Sequence, residues 1–508
     1  MKKRSRTEYS LLNVITGVSG YFFNTLLGFI CRIVFVKYLS AEYLGVNGLF
    51  TDILLMLSLA ELGVGNAIVY ALYKPLADED EEKIASLMSV YAKAYRAIGI
   101  IIGIIGVALI PFIKIIIHEQ PQISESIYLL YCINLFNTAS TYFFSYRSSL
   151  LIASQRNYLV SGINYVITVV QSIVQIITLM LFQKYLVYLL IQSIGIFAYN
   201  VIVSRVALRY FPFLKRKKVK ELPGKEKKRL FSNVRDLMIY KVSGLLVNST
   251  DNILITFFGG LATTGITSNY TLLINTINSL LNQVFNGLTA SIGNHNASKN
   301  NEERYKMFKF LNFMNFWIYG WVAVGVLFCS SNVVQICFGK EYVLHRSIPI
   351  ILAINFYTSG VTNIIGTYKH TLGLFRQGRF IQVFTGILNI ILSIVLGNVY
   401  GLFGILLATG ISRACTHLWY TPYVVFKYGF KIRICEYWKC YLKYFLITVM
   451  AGVLCEISFQ IISGSLLVRT ILKILICSII FNVVFVAAQW RTAELKKMLY
   501  YVRTIFKI

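Results

Sequence analysis

Long apolar runs dominate the pattern of hydrophobic and polar positions along the chain. They recur from the first tens of residues to the last, and short polar loops separate them. A helix needs about 20 mostly apolar residues to cross a bilayer, and these runs have that length. The pattern therefore predicts an all-α polytopic membrane protein with about fourteen transmembrane helices and no soluble domain between them.

The predicted spans group into two halves and a C-terminal pair. Their approximate bounds are 10–38, 46–73, 84–117, 124–147, 157–182, 185–209, 230–259, 263–291, 308–334, 347–370, 379–397, 399–425, 441–463 and 467–489. A long polar, strongly basic segment follows the sixth span. We therefore expect an N-lobe (1–209), a basic cytoplasmic linker (210–229) and a C-lobe (230–425). Two further helices and a cytoplasmic tail then occupy residues 426–508.

An internal repeat supports this division into lobes. Ser19-Gly-Tyr-Phe-Phe-Asn24 opens the first span, and Ser243-Gly-Leu-Leu-Val-Asn248 opens the seventh. Both helices then end in a short turn rich in Leu, Ala and Gly, at 39–45 and 261–265. The repeat predicts two pseudo-symmetric six-helix lobes, a transporter plan in which the substrate site lies between the repeats.

The net charge of +28 would suggest a nucleic-acid binder if the charges were not so unevenly placed. Lysine and arginine concentrate in the loops on the side of the N-terminus. The opposite loops carry only Lys37, Lys114, Lys184, Lys340, Arg346 and Arg469. This is the positive-inside pattern, so both termini are predicted to be cytoplasmic. A basic nucleic-acid groove would need a folded soluble face, and the pattern predicts none.

Polar residues inside several spans recur at steps of three and four, which keeps each set on one helix face. The fourth span carries the set Asn134, Thr138, Thr141, Ser145 and Ser148. The first, fifth and eighth spans contribute Asn24, Gln171, Gln175, Asn275, Asn278 and Asn282. For any single stripe, helix packing is the favoured explanation. Stripes in both halves favour a hydrated cavity of hydroxyls and amides, which suits sugars.

Charged residues inside the spans point to function, because an ionisable group in a membrane is costly. These residues are Arg32, Asp52, Glu61, Lys241, Asp251 and Arg413. Arg32 and Asp52 lie about 9 Å from the outer helix ends, so a structural ion pair between them is as good an interpretation as function. No carboxylate is near Arg413 in its own helix. That favours a cation that faces a cavity and attracts an anionic substrate such as a diphosphate.

Motifs for enzyme chemistry are missing from the sequence. There is no Gly-rich phosphate loop, nucleophile elbow or metal-spaced histidine pair, and most cysteines lie within apolar runs. We therefore expect no enzyme activity, no metal and no cofactor. Transport energy would come from a Na⁺ or H⁺ gradient, from the membrane potential or from downstream consumption of the product.

The segment from the end of the first span through the second carries a family resemblance. It reads Tyr38-Leu-Ser-Ala-Glu-Tyr-Leu-Gly45, then Ser58-Leu-Ala-Glu-Leu-Gly-Val-Gly-Asn-Ala67, then Tyr70-Ala-Leu-Tyr-Lys-Pro-Leu-Ala77. It resembles the Wzx-type polysaccharide and O-antigen flippases. These form part of the polysaccharide branch of the multidrug/oligosaccharidyl-lipid/polysaccharide (MOP) exporter superfamily.

The resemblance implies a MOP/MATE-like fold and a flippase function. The substrate would be an undecaprenyl-diphosphate-linked oligosaccharide, moved by alternating access from the inner to the outer leaflet of the bacterial cytoplasmic membrane. The product would feed capsule, O-antigen or exopolysaccharide assembly. Membrane lipids, a polysaccharide polymerase and a chain-length regulator are the implied partners, with no nucleic acid. Arg32 matches the family's tendency to carry a basic residue in the first span.

Two other function classes stay open at this point. A MATE-like cation-coupled antiporter of drugs or small molecules would also have twelve core spans, but its site should bind cations through carboxylates. A scaffold that organises polymer assembly without transport is the other class. Charged residues at mid-depth, such as Glu61, argue against the scaffold.

Overall fold

A computed structural model describes residues 6–58, 64–117, 121–215, 220–224, 250–374, 377 and 380–506. None of these residues lies in a β-strand, and most of them are helical. The predicted all-α class is therefore confirmed for the described part of the chain. Glu61 and Lys241, two predicted site residues, lie outside it.

The helices up to the polar linker reproduce the first six predicted spans. They are α1 (Arg6–Tyr38), α2 (Ala41–Leu57), α3 (Val64–Ala77), α4 (Glu81–Ala108), α5 (Ile110–Ile116), α6 (Ile127–Thr141), α7 (Tyr146–Ala153), α8 (Asn157–Phe182) and α9 (Tyr185–Tyr210). The third and fourth spans are each interrupted, and residues 59–63 of the second span lie outside the described part. The third breaks at Leu109 because Pro111, at the start of α5, cannot donate a backbone hydrogen bond.

The helices after the linker follow the same plan with two sharp kinks. They are α10 (Asp251–Ser298), α11 (Asn301–Phe338), α12 (Ser347–Val361), α13 (Asn363–Thr371), α14 (Ile381–Cys415), α15 (His417–Val424), α16 (Cys435–Ser458), α17 (Leu466–Gln489) and α18 (Ala493–Phe506). Gly260 (φ 78°) divides α10, and Gly401 (φ 56°) divides α14. The Gly260 kink lies between two predicted spans, whereas Gly401 lies near the start of the predicted span 399–425. Both kinks have a backbone conformation that glycine adopts without strain.

Eight helical segments of the described chain are long and apolar enough to cross a membrane by length and composition. They include α8 and α9, whose bounds almost coincide with the predicted fifth and sixth spans. The segment Ile381–Phe430 contains two predicted spans in one run. The chain is thus a multi-pass membrane protein.

The chain divides into two compact units, Met1–Gly265 and Ile266–Ile508. In the first unit α1 packs on α8, α8 on α9, and α6 on α4 and α9. The predicted linker (210–229) falls inside the first unit. The predicted lobe boundaries stay a prediction, because residues 225–249 lie outside the described part.

Two glycines bring backbones into direct contact in the first unit. Helix α2 begins at Ala41, and the second half of α10 begins at Leu261, directly after the Gly260 kink. A Cβ at Gly45 would lie 2.0 Å from the Leu261 carbonyl oxygen, and one at Gly265 would lie 1.8 Å from the Ala41 carbonyl oxygen. The two contacts are reciprocal: each glycine lies four residues after its helix start and meets the other helix's first residue. A two-fold relation between repeats predicts this arrangement.

The second unit has a core of packed aromatic rings. Its buried rings include Phe308, Phe313, Phe316, Tyr319, Phe356, Tyr368, Phe426, Phe430, Tyr437, Tyr444, Phe481 and Phe485. Helix α11 lies at the centre, in contact with α12, α16 and α17. The two C-terminal spans therefore belong to this core rather than standing apart, and the Trp317 Nε1 donor in α11 reaches Asn482 Oδ1 in α17 at 2.8 Å.

Candidate functional site

A polar cavity of about 370 Å³ opens between α2, α6 and α9 in the first unit. Its polar lining residues are Thr51, Ser58, Asn134, Asn137, Thr138, Thr141, Ser145 and Gln192. Leu54, Leu55, Tyr142 and Ile196 complete the lining, and no charged side chain is among the described residues that line it. A space inside membrane-spanning helices that is lined by hydroxyls and amides accommodates water or a polyhydroxylated ligand better than lipid tails.

Helix α6 presents its polar residues to this cavity because they recur every three or four positions. Thr138 Oγ1 donates to the Asn134 carbonyl at 3.0 Å, and Thr141 Oγ1 donates to the Asn137 carbonyl at 2.9 Å. These hydroxyl protons are therefore satisfied by the helix itself, which leaves the oxygen lone pairs to accept hydrogen bonds. Ser145 Oγ is buried and has no hydrogen-bond partner among the described residues.

Asparagine side chains form hydrogen bonds between α6, which forms one wall of the cavity, and α9. Asn137 Nδ2 donates to Ser193 Oγ at 2.8 Å, and Asn200 Nδ2 donates to Thr141 Oγ1 at 3.4 Å. Asn137 and Asn200 are both buried. These bonds hold α6 against α9, so the polar face of α6 keeps a defined orientation.

Asp52 lies on α2 close to the start of α10. Its carboxylate accepts a hydrogen bond from the Asn252 side chain, and the carboxylate of Asp251 is its charged neighbour. Gly48, one turn earlier on α2, faces the same amide: a Cβ there would lie 3.8 Å from Asn252 Nδ2. Two predicted site residues, Asp52 and Asp251, thus come together, and two neighbouring carboxylates in a span favour a cation or a shared proton.

Arg32 lies next to a group of aromatic rings at the start of α9. Its guanidinium group interacts electrostatically with the hydroxyl groups of Tyr185 and Tyr188. Phe35, one turn further along α1, packs against both rings at centroid distances of 5.8 and 5.1 Å. The Arg32–Asp52 ion pair considered from the sequence stays a prediction.

A carboxylate in the loop before α6 connects three elements of the first unit. Glu125 accepts hydrogen bonds from the Tyr43 hydroxyl, from Ser124 Oγ at 2.8 Å and from the Leu186 amide at 3.3 Å. Burial opposes ionisation of this group, but the three donors outweigh it and lower the pKa of Glu125. The loop therefore fixes the first turn of α2 against the first turn of α9.

The predicted glutamines of α8 serve helix packing in the structure. Gln175 is 2% exposed and donates to the Tyr188 carbonyl at 3.2 Å, and Gln171 donates to Gln175 Oε1 at 3.4 Å. Asn24 of α1 differs, because its buried Oδ1 has no hydrogen-bond partner among the described residues. A role for these three residues toward a substrate stays a prediction.

The predicted asparagines of the second unit follow one face of α10. Asn275 and Asn282 are exposed, and Asn278 is partly buried. Asn363 Nδ2 in α13 donates to Asn282 Oδ1 at 3.1 Å, so this face contacts α13. Arg413 is partly buried in the last turn of α14, and its charge acts on His417.

The sequence analysis did not identify four polar cavity residues. Thr51, Ser58, Asn137 and Gln192 line the cavity together with the predicted stripe of α6. Their only local signal is a polar side chain within an apolar run, and many packing residues share that signal. No group of three or more His, Cys, Asp or Glu suited to a metal ion occurs in the ranges that the structure describes.

Comparisons with known proteins agree with this architecture. The sequence model of a family described as polysaccharide biosynthesis protein matches residues 10–288. No curated protein matches the chain. A structure of the lipid II flippase MurJ in an inward closed conformation is similar, with a TM-score of 0.70, 15% identity and coverage of 94% of this chain and 99% of that one.

A second similar structure is an inward-facing multidrug resistance MATE family transporter of the MOP superfamily. Its TM-score is 0.54 at 15% identity, and the alignment covers 81% of this chain and 98% of that one. At 15% identity, the similarity to these two structures establishes the fold alone. The predicted MOP/MATE-like fold is therefore confirmed.

Proposed function

The chain belongs to the polysaccharide biosynthesis protein family, and on that premise we propose that it is a lipid-linked oligosaccharide flippase. It moves undecaprenyl-diphosphate-linked repeat units from the inner to the outer leaflet of the bacterial cytoplasmic membrane by alternating access. The repeat units supply capsule, O-antigen or exopolysaccharide assembly. A polysaccharide polymerase and a chain-length regulator are the partners that such a pathway requires.

The observation that carries this proposal is the uncharged polar cavity of the first unit. Sugars offer many hydroxyl donors, and the threonine oxygens of α6 retain lone pairs that accept from them. An apolar drug would leave these groups without hydrogen bonds, at a cost in binding free energy. The fold accommodates lipid-linked substrates, since one similar structure is a lipid II flippase.

Charged and amide side chains would hold the rest of the substrate. In this proposal Arg32, Lys241 and Arg413 attract the diphosphate, because basic groups form charge-assisted hydrogen bonds with phosphate oxygens. Asp52, Glu61 and Asp251 bind a coupling cation or proton. The amides proposed to contact the sugar are Asn24, Asn275, Asn278 and Asn282, whereas Gln171 and Gln175, also predicted from the sequence, bond to neighbouring protein groups. The positive-inside charge pattern supports cytoplasmic termini.

Lipid analysis of a deletion strain tests the proposal. We expect a complete repeat unit to accumulate on its polyprenyl diphosphate carrier while surface polymer is lost, and a plasmid copy of the gene should reverse both changes. Unchanged lipid intermediates with intact surface polymer would refute the flippase function.

One observation favours a second candidate, a MATE-like cation-coupled antiporter. Asp52 and Asp251 lie close enough for their charges to interact, as expected in a site that exchanges a cation. The same deletion strain distinguishes the two functions. An antiporter predicts increased sensitivity to cationic drugs with normal polymer, whereas a flippase predicts lost polymer with unchanged sensitivity.

A further inference from the structure

The C-terminal helix α18 uses one face to pack against the second unit. Leu495 is fully buried in the aromatic core, and Met498, three residues later, packs against the same core. Lys497 Nζ lies 5.0 Å from the centre of the Phe310 ring in α11. The first two turns of α18 are therefore docked on the protein.

Another face of α18 mixes apolar and basic residues. Lys496 is exposed, and the side chains of Leu499 and Tyr500 are 39% and 67% exposed. Steps of three and four residues keep these positions on one side of a helix, and the same spacing next reaches Arg503 in the sequence. These four positions are here called the basic face of α18.

Helix α18 lies along the ends of the membrane spans. Gln489, the last residue of α17, accepts a hydrogen bond from Lys443 Nζ of α16 at 3.0 Å. Lys443 and Phe310 are each the third residue of a predicted span, so both mark the level at which the chain enters the membrane. If α18 continued the direction of α17, Lys497 would lie about 12 Å beyond this level. Its contact with Phe310 instead keeps α18 at the membrane surface.

The charges of α18 are unevenly distributed between its faces. The Glu494 carboxylate interacts electrostatically with Tyr305 and Cys440, so its negative charge is directed toward α11 and α16. Lys496 is exposed, and so is Arg491, which directly follows α17. Basic residues therefore prevail on the side of α18 that points away from the core.

We propose that the basic face of α18 binds the anionic phospholipid surface of the inner leaflet. A helix at a membrane surface buries apolar side chains at the boundary of headgroups and acyl chains, while lysine and arginine reach the phosphate groups. Leu499 and Tyr500 supply the apolar part, and Lys496 and Arg503 supply the charge. Trp490, which is 64% exposed at the end of α17, belongs to a residue type that concentrates at this level.

The positive-inside pattern identifies the leaflet. Basic residues concentrate in the loops on the side of the N-terminus, and α18 follows an even number of predicted spans. This pattern assigns α18 to the cytoplasmic side, where the lipid surface carries a negative potential. A soluble acidic protein would match the charge, but the position of α18 along the span ends favours the bilayer itself.

Hydrogen–deuterium exchange of the full-length protein in nanodiscs tests the proposal. We expect the amides of α18 to exchange about tenfold more slowly in phosphatidylglycerol than in phosphatidylcholine, because each basic residue near an anionic surface strengthens binding several-fold. The double variant Lys496→Gln/Arg503→Gln should lose this difference. Lys340→Gln/Arg469→Gln is the matched control, since it removes the same charge from loops predicted on the opposite side, and it should keep the difference.

A third variant isolates the apolar contribution. Leu499→Asn should speed the exchange of α18 in both lipids, because insertion of an apolar side chain does not depend on lipid charge. High salt should reduce only the additional protection in phosphatidylglycerol, since it screens the charges. Thermal unfolding checks that all variants keep the aromatic core to which Leu495 belongs.

Three outcomes would overturn the proposal. Equal exchange of α18 in the two lipids would mean that the protein alone holds the helix. Protection that appears only in discs with two copies of the chain would mean that a second copy covers the basic face. Loss of the lipid difference in the control variant as well would reveal a general charge effect. The measurement involves no transport, so its result is independent of the proposed flippase function.

Discussion

The first unit contains a cavity with a polar wall, whereas the second contains a large core of packed aromatic rings. The cavity between α2, α6 and α9 is lined by hydroxyls and amides, and hydrogen bonds such as Asn137 to Ser193 hold its wall. The second unit instead packs rings around α11, for example Phe313 against Phe485 at a centroid distance of 5.4 Å. In a bilayer, helices associate through close packing and hydrogen bonds, and the two units use these in different proportions.

This difference suggests a division of labour within the molecule. Closely packed rings make a core that resists deformation. A polar cavity lowers packing density but offers groups that can bind a ligand. Changes in the second unit should therefore alter stability first, while changes in the cavity of the first unit should alter transport first.

The largest expected effect lies in the aromatic core. Phe481 is 0% exposed and stacks on Phe485. Phe481→Ala would leave a cavity that the surrounding rings cannot fill, and we expect a cost of about 3–5 kcal/mol in the free energy of unfolding. Thermal unfolding of the purified protein in detergent measures it. Ile479→Ala, on the same helix but 62% exposed, serves as the control and should change little.

An intermediate effect is expected at the backbone contact of the first unit. In Gly265→Ala the new Cβ would lie 1.8 Å from the Ala41 carbonyl oxygen, so the two helices must separate. Overpacking of this kind costs about 1–3 kcal/mol, which the unfolding midpoint should reveal. In Gly162→Ala the added Cβ meets nothing within 4 Å, so stability should stay unchanged or rise. Equal behaviour of the two variants would argue against a rigid contact.

The smallest effect on stability is expected in the cavity wall, together with the clearest effect on transport. Asn137→Ala removes the hydrogen bond to Ser193, a change worth about 0.6 kcal/mol on average between membrane helices. We nevertheless expect reduced surface polysaccharide in the complemented deletion strain at equal protein level. Asn164→Ala, at an exposed position of α8, should export normally. Full export by Asn137→Ala would break the proposed division of labour.

The helices were predictable because a chain in a lipid environment must satisfy its backbone hydrogen bonds locally. Helices α8 (Asn157–Phe182) and α9 (Tyr185–Tyr210) almost coincide with the predicted spans. The breaks within spans, such as the one at Thr362 between α12 and α13, were not predicted. Hydropathy reports the transfer of side chains into lipid and carries little information about the continuity of the helix.

The candidate site was predictable only in part. The stripe of α6, with Asn134, Thr138 and Thr141, was recognised from its spacing and does line the cavity. Gln175 has the same kind of signal, yet its side chain packs against α9. Periodicity places residues on one face of a helix, but it cannot say whether that face meets a neighbouring helix or a cavity.

The sequence by itself determined the helical class, the membrane location, the approximate spans and the family. Each of these follows from composition and local order along the chain. Only the tertiary structure decided that Asn137, Thr51 and Gln192 share a cavity, and that Asn363 of α13 donates a hydrogen bond to Asn282 of α10. The physical reason is that both groupings join residues far apart in sequence. Their proximity depends on how the helices pack, and no local pattern records it.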